Sequence, residues 1–278
     1  MTEARRGRPL KNANLVVGTV LVVGVLLSAL LSLAYTPYNP TKMGRDRLQP
    51  PSQAHPFGTD QFGRDTFSRV LKGSTNSLLV GTIAVGIGLV CGVLVGALSG
   101  YFGGWLDEVL MRVADVIYGF PAILMAILIT SILGHGIQNS MIAIGLSNVP
   151  VFARLTRGSF LSLKQRGFVS AARALGRSPW GIVGRHILPN SLSPLLIQAS
   201  SSFAIAILAE AALSYLGLGT QPPQPSWGSM LLEAQALLNR TLWPALFPGL
   251  AIAVAVLGFN VLGDGLRDAL DPRVRERG

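Results

Sequence analysis

Long apolar blocks without charge alternate along this chain with short polar connectors. The first block covers residues 14–34, 21 residues in all. A helix advances about 1.5 Å per residue, so a block of this length reaches across about 30 Å of hydrocarbon. Five more blocks follow at 77–100, 116–133, 137–153, 192–216 and 243–262, and the only charge in any of them is Glu210. The pattern predicts an all-α integral membrane protein with about six transmembrane helices. It divides the chain into 1–76 (tail, first helix and external loop) and 77–278, a five-helix core that contains a polar loop at 154–191.

Within the second block Gly88, Gly92 and Gly96 recur every fourth residue. A stripe of small residues lets a second helix approach closely in lipid, so this face is expected at a helix interface. The first block follows Arg5, Arg6, Arg8 and Lys11, which resembles a secretory leader, but it exceeds an h-region of about 7–15 residues. Tyr-Thr-Pro-Tyr follows it instead of a small-residue cleavage site. It reads as a retained anchor.

Composition supports the membrane assignment. Only 13% of residues are charged, against about 25% in ordinary soluble domains. The net charge of +10 raises the question of nucleic acid. Positive-inside topology accounts for most of it. With both termini and the 154–191 loop in the cytoplasm, 16 of the 23 Lys and Arg lie inside and 7 outside. The outer loop 35–76 holds six of those seven and works against this orientation, but the totals favour it. No nucleic-acid partner is expected, only the lipid bilayer. The single cysteine, Cys91, cannot form an intrachain disulfide.

Catalytic signatures are missing from the sequence. There is no G-x-x-x-x-G-K-[ST] phosphate loop and no G-x-S-x-G elbow. His55, His135 and His186 lack metal-ligand spacing. The chain is expected to have no catalytic residues, cofactor or metal.

The loop at 167–191 carries most of the information. At 100° per residue Ala171, Ala172, Leu175 and Gly176 share one helical face, opposite Arg173 and Arg177. Gly176 suits a helix stop. Ser178 followed by Pro179 forms an N-cap with proline at the first helical position, and a second short helix should end near Pro189. The result is a helix–turn–helix with a small-residue face. Two readings remain open for it: a docking element for a partner groove, or an interfacial helix whose arginines rest on anionic headgroups.

Ala171, Ala172, Gly176, Leu188 and Pro189 resemble the Glu-Ala-Ala…Gly…Leu-Pro coupling motif of ABC importer permeases. Four other segments resemble, more narrowly, the second permease of the dipeptide/oligopeptide/nickel family. They are His55-Pro-Phe-Gly-Thr-Asp-Gln-Phe-Gly-Arg-Asp65, Gly100-Tyr-Phe-Gly-Gly-Trp-Leu-Asp107, Pro225-Ser-Trp-Gly228 and Asn260-Val-Leu-Gly-Asp-Gly-Leu-Arg-Asp268. The resemblance implies a type I importer permease, multi-pass in a bacterial cytoplasmic membrane. It also implies a homologous permease subunit, two ATPase subunits below and an extracytoplasmic substrate-binding protein above. Ala171, Ala172, Leu175 and Gly176 would then lie on the coupling helix that enters an ATPase groove. Where the motif has Glu, this chain has Ser170.

Glu210 is the one acidic residue well inside a block, and its cost in lipid means it should face protein. It serves either as a pathway or gating residue or as a packing contact, with Ser214 at i+4 the natural partner. Asp107, Glu108, Arg112 and Asp115 read as solvated ion pairs, and Asp60, Arg64 and Asp65 in the outer loop as an interfacial helix or a local salt bridge. An ion-coupled secondary transporter is the alternative function. It would need intramembrane charged partners for Glu210 that the blocks do not supply.

Overall fold

A computed structural model describes residues 8–270, and every regular element among them is helical. The long elements are α1 (Arg8–Ala34), α2 (Thr66–Phe102), α3 (Gly104–Tyr118), α4 (Ala122–Leu133) and α5 (Ile137–Lys164). After them come α6 (Gly167–Ala174), α7 (Pro179–Ile182), α8 (Leu192–Tyr215), α9 (Trp227–Gln235) and α10 (Trp243–Leu270). Arg5, Arg6, Arg273, Arg275 and Arg277, which weigh in the topology count, lie outside the described residues.

Helix α2 is the axis of the molecule. Its 37 residues span about 55 Å, and α5 packs along its glycine face. A Cβ added to Gly88 would sit 2.6 Å from Asn148 Cβ, and one on Gly92 2.5 Å from Phe152 Cβ. Gly96 and Gly100 continue the contact against the Ala153 and Arg157 carbonyls. The expected small-residue interface is therefore present, and its partner is α5. Helix α1 lies along α10, where Gly18, Gly258 and Gly265 allow the same close approach. Helix α10 in turn packs on α8, with Ser200 Oγ donating to the Phe259 carbonyl at 2.7 Å and Phe203 stacked on Phe259.

Among the described residues four helices are long and apolar enough to cross a membrane, and a fifth candidate exists if the bent pair α3–α4 counts as one span. Two of the six expected spans therefore need revision. The block at 116–133 is not one straight helix. It bends by 89° between α3 and α4, because Pro121 disfavours helical geometry at Phe120. That leaves α4 with 12 residues, about 18 Å of helix. The block at 137–153 continues to Lys164, so the basic loop begins as the end of α5. Polar Asn139, Asn148, Arg154 and Arg157 along α5 account for its lower apolarity.

Two other boundaries move. Helix α2 begins at Thr66 and runs through position 76, because the Asp65 carboxylate caps it by accepting from the Ser68 N–H at 2.7 Å. The helix begun at Pro179 does not stop at Pro189. A widened turn over Val183–Ile187 and a tight one over Pro189–Ser191 lead directly into α8, and the whole run Pro179–Tyr215 counts as a single 37-residue helix. Leu188 N–H bonds the Val183 carbonyl at 2.9 Å, five residues back. That wider register makes room for a proline ring that an ordinary α-turn would exclude.

Candidate functional site

Beyond α5 the chain reverses through α6 and α7, and the turn between them is built by local chemistry. Gly176 has φ of +73°. Its N–H bonds the Arg173 carbonyl at 3.0 Å, and the Arg177 N–H bonds Ala172 at 3.1 Å. Those two bonds make a Schellman stop, which glycine adopts without a Cβ penalty. Ser178 Oγ then accepts from the Gly181 N–H at 3.2 Å and caps α7, with Pro179 at its first position.

A small core holds the pair to the bundle. Val169 and Ala172 from α6, Ile182 at the end of α7 and Ile187 beyond it bury against Tyr101 of α2 and Phe160 of α5. Lys164 Nζ donates to the Tyr101 carbonyl at 2.5 Å, and Trp180 meets Phe102 edge-on. Ala172 is thus turned inward, which corrects the four-residue face expected from spacing. Position 172 follows Val169 at i+3 and shares its inner side. Outward, Phe168, Ala171 and Leu175 form one i, i+3, i+7 stripe. Leu175 is 85% exposed, more than any other large apolar side chain among the described residues. Gly176 forms the turn beside this stripe.

Ion pairs brace the same end. Arg157 of α5 grips Asp107 of α3 with two bonds of 2.6 Å, and Ser99 Oγ also donates to that carboxylate. The Arg157 guanidinium holds the Asp107 carboxyl below its ordinary range. Arg154 pairs with Asp115 at 2.7 Å and lies over the Tyr118 ring. Asp107 and Asp115 of α3 are therefore partnered across to α5, not along their own helix.

Glu210 lies at the other end of the long helices, fully buried. It accepts from Ser214 Oγ at 2.7 Å, Ser77 Oγ at 2.9 Å and Thr220 Oγ1 at 3.4 Å. These bonds join α8, α2 and the connector before α9, and the Ser214 contact is the one expected from spacing. Nearby, Arg64 binds Asp60 at 2.6 Å and also Glu233, while Arg69 binds Glu233 at 3.0 Å and stands 3.4 Å from Asp60. The outer-loop salt bridge is thus one part of a buried four-charge cluster that fastens α9 to α2. His55 Nδ1 adds a 2.8 Å contact to Asp65.

Residues 92–276 match the family described as binding-protein-dependent transport system inner membrane components. The chain belongs to that family. It is 46% identical over 270 residues to the dipeptide transport system permease protein of Alkalihalophilus pseudofirmus, covering 95% of this chain and 88% of the relative. It is also 47% identical over 231 residues to the glutathione transport system permease protein of Pectobacterium atrosepticum, covering 83% and 77%. Among solved structures, the inward-facing MetNI methionine ABC transporter matches with a TM-score of 0.61 at 19% identity, covering 73% of this chain and 96% of the matched one. This likeness places the fold among ABC importer permeases.

Sequence reasoning missed three residues of this permease. Phe168 escaped because only small residues were sought on α6, although it precedes Ala171 and Leu175 at helical spacing. Arg69 and Glu233 escaped because they are 164 positions apart. The only local signal was a carboxylate inside the apolar run Met-Leu-Leu-Glu-Ala.

Proposed function

We propose that this permease imports small peptides across a bacterial cytoplasmic membrane, with α6–α7 as the docking element for a separate ATPase. Both named relatives carry peptides, glutathione being itself a tripeptide, and this supports the substrate class. The complete unit would be this chain, a homologous permease, two ATPase subunits and an extracytoplasmic binding protein. Both termini would lie in the cytoplasm with the basic loop.

The observation that carries the docking role is the exposure of Leu175. Together with Phe168 and Ala171 it presents an apolar stripe flanked by Arg173 and Arg177. Ala172 supports the stripe from inside the core and does not itself meet the ATPase. Movement there has a direct route inward. The run Pro179–Tyr215 is nearly continuous, so a displacement at Trp180 reaches the Glu210 cluster about 45 Å away along one stiff element. Glu210 transmits this motion as a packing residue.

The test is purification of the tagged complex from its native membrane, beside Leu175→Asp. The parent protein should bring a phosphate-loop ATPase with it and support uptake that collapses when ATP is depleted. The variant should keep its melting temperature and lose the ATPase. A parent that purifies alone at every detergent strength defeats the importer reading. A variant that retains its ATPase moves the docking face elsewhere.

A further inference from the structure

The four charges beside α9 cancel, yet hydrogen bonding among them is incomplete. Arg69 is 1% exposed, and its Nη2 donates to Glu233 at 3.0 Å. Its Nη1 stands 3.4 Å from Asp60 Oδ2 but has no hydrogen-bond partner among the described residues. Three positions earlier, on the same face of α2, Thr66 is equally buried and its Oγ1 also lacks a partner. Thr156 Oγ1 is the third and last such atom among the described residues, so two of the three lie within one helical turn.

Thr66 and Arg69 line the same cavity of about 10 Å³, bounded on other sides by Met230, Leu237 and Pro244. That is about the room one water molecule requires. Asp60 and Glu233 line it too. Glu233 meets both arginines through Oε2, which leaves Oε1 for another donor. The cavity therefore gathers a bare guanidinium N–H, a bare hydroxyl and carboxylates with spare lone pairs.

We propose that this cavity binds one water molecule as a fixed part of the fold. The water accepts from Arg69 Nη1, shares a hydrogen bond with Thr66 Oγ1 and donates to the Glu233 carboxylate. The lining selects this ligand by charge and size. A halide would lie against two carboxylates, and a metal cation against the Arg69 guanidinium. A larger polar molecule does not fit. Water is neutral, both donates and accepts, and normally makes about three bonds when buried. It ties α2 to α9 at the one point where the ion pairs leave donors bare, and so completes the hydrogen bonding of that end.

The experiment has two independent arms. The first is a crystal structure of the complex purified with its native partners, grown in chloride and in bromide, at a resolution where other buried waters are visible. A density peak within hydrogen-bond distance of Arg69 Nη1 and Thr66 Oγ1, without anomalous signal in bromide, is the expected result. A featureless cavity overturns the proposal, and so does a bromide signal, which would make the ligand a halide. The second arm is the melting temperature of Thr66→Val, which replaces the hydroxyl with a methyl group of similar shape. If the hydroxyl bonds a water, its loss should lower the melting temperature by about 2–4 °C. If the hydroxyl is bare, removing a buried unsatisfied group should raise the melting temperature, and a rise overturns the proposal. Should the variant fail to fold, the parent crystals still decide.

Discussion

Near Arg69, at one end of α2, four charged side chains close on one another. Near Tyr101, at the other end, a small apolar core anchors a helix pair whose outer stripe is left bare. The first arrangement satisfies its strongest groups internally: Asp60, Arg64, Arg69 and Glu233 sum to zero charge and join α9 to the bundle. The second has its turn, caps and inner face fully specified, yet exposes Phe168 and Leu175. A sealed end keeps its geometry without help. An exposed apolar stripe at this end fits the docking of another protein proposed above.

The sharpest way to break this contrast is Glu233→Ala. It leaves Arg69, with a side chain only 1% exposed, without its closest carboxylate. Removing one partner of a buried pair costs about 3–5 kcal/mol. A large drop in the melting temperature of the detergent-solubilised protein is the expected outcome. The α6–α7 end shares no partner with the cluster, so ATPase recovery at low temperature should be unchanged. Recovery that falls in step with stability would mean that the two ends are not independent.

Next in size is Gly92→Leu, which drives a side chain into Phe152 and the Val149 carbonyl. Overpacking of this kind costs about 1–3 kcal/mol. Gly86→Leu is the control, since nothing lies within 4 Å of its added Cβ, and its effect should stay within about 0.5 kcal/mol. Equal melting temperatures for the two variants would contradict the α2–α5 interface that joins both ends.

A smaller and local effect is expected for Ser178→Ala. Loss of an N-cap costs about 1 kcal/mol, and here the cap orders only α7 and the turn after it. Amide hydrogen exchange should quicken over residues 179–187 while α2 and α5 keep their protection. If exchange quickened throughout the bundle, the turn would be part of the global core and not an appended lever.

What could be read from the sequence, and what could not, follows from the range of each interaction. The Schellman turn at Gly176, the Ser178–Pro179 start and the Glu210–Ser214 bond are all set within five residues, and each is visible in the chain. The glycine stripe announced a helix contact but not that α5 would fill it. Ala172 was misplaced because periodicity gives angles around an axis but not which side meets the core; Val169, three positions earlier, settles that only once Phe160 is seen beneath it. The end of the fourth block was misjudged because Arg154 and Arg157 read as loop charges, whereas Asp115 and Asp107 of α3 hold them on a continuing helix. The run through Pro189 was missed because proline's usual effect was assumed where a widened turn avoids it.

The smallest expected effect is that of Ser170→Glu, which restores the carboxylate of the related motif. Position 170 is exposed in the first half of α6, three residues before Arg173. An i, i+3 pair there is worth about 0.2–0.5 kcal/mol, too little to move the melting temperature. It should slow amide exchange within α6 only slightly. If the carboxylate acts solely inside the helix, ATPase recovery will not change across a salt series. If the ATPase offers it a cation, recovery will rise at low salt and the gain will fade as ionic strength increases. A salt-dependent gain would show that docking at this end combines the bare apolar stripe with a charge contact that Ser170 has given up.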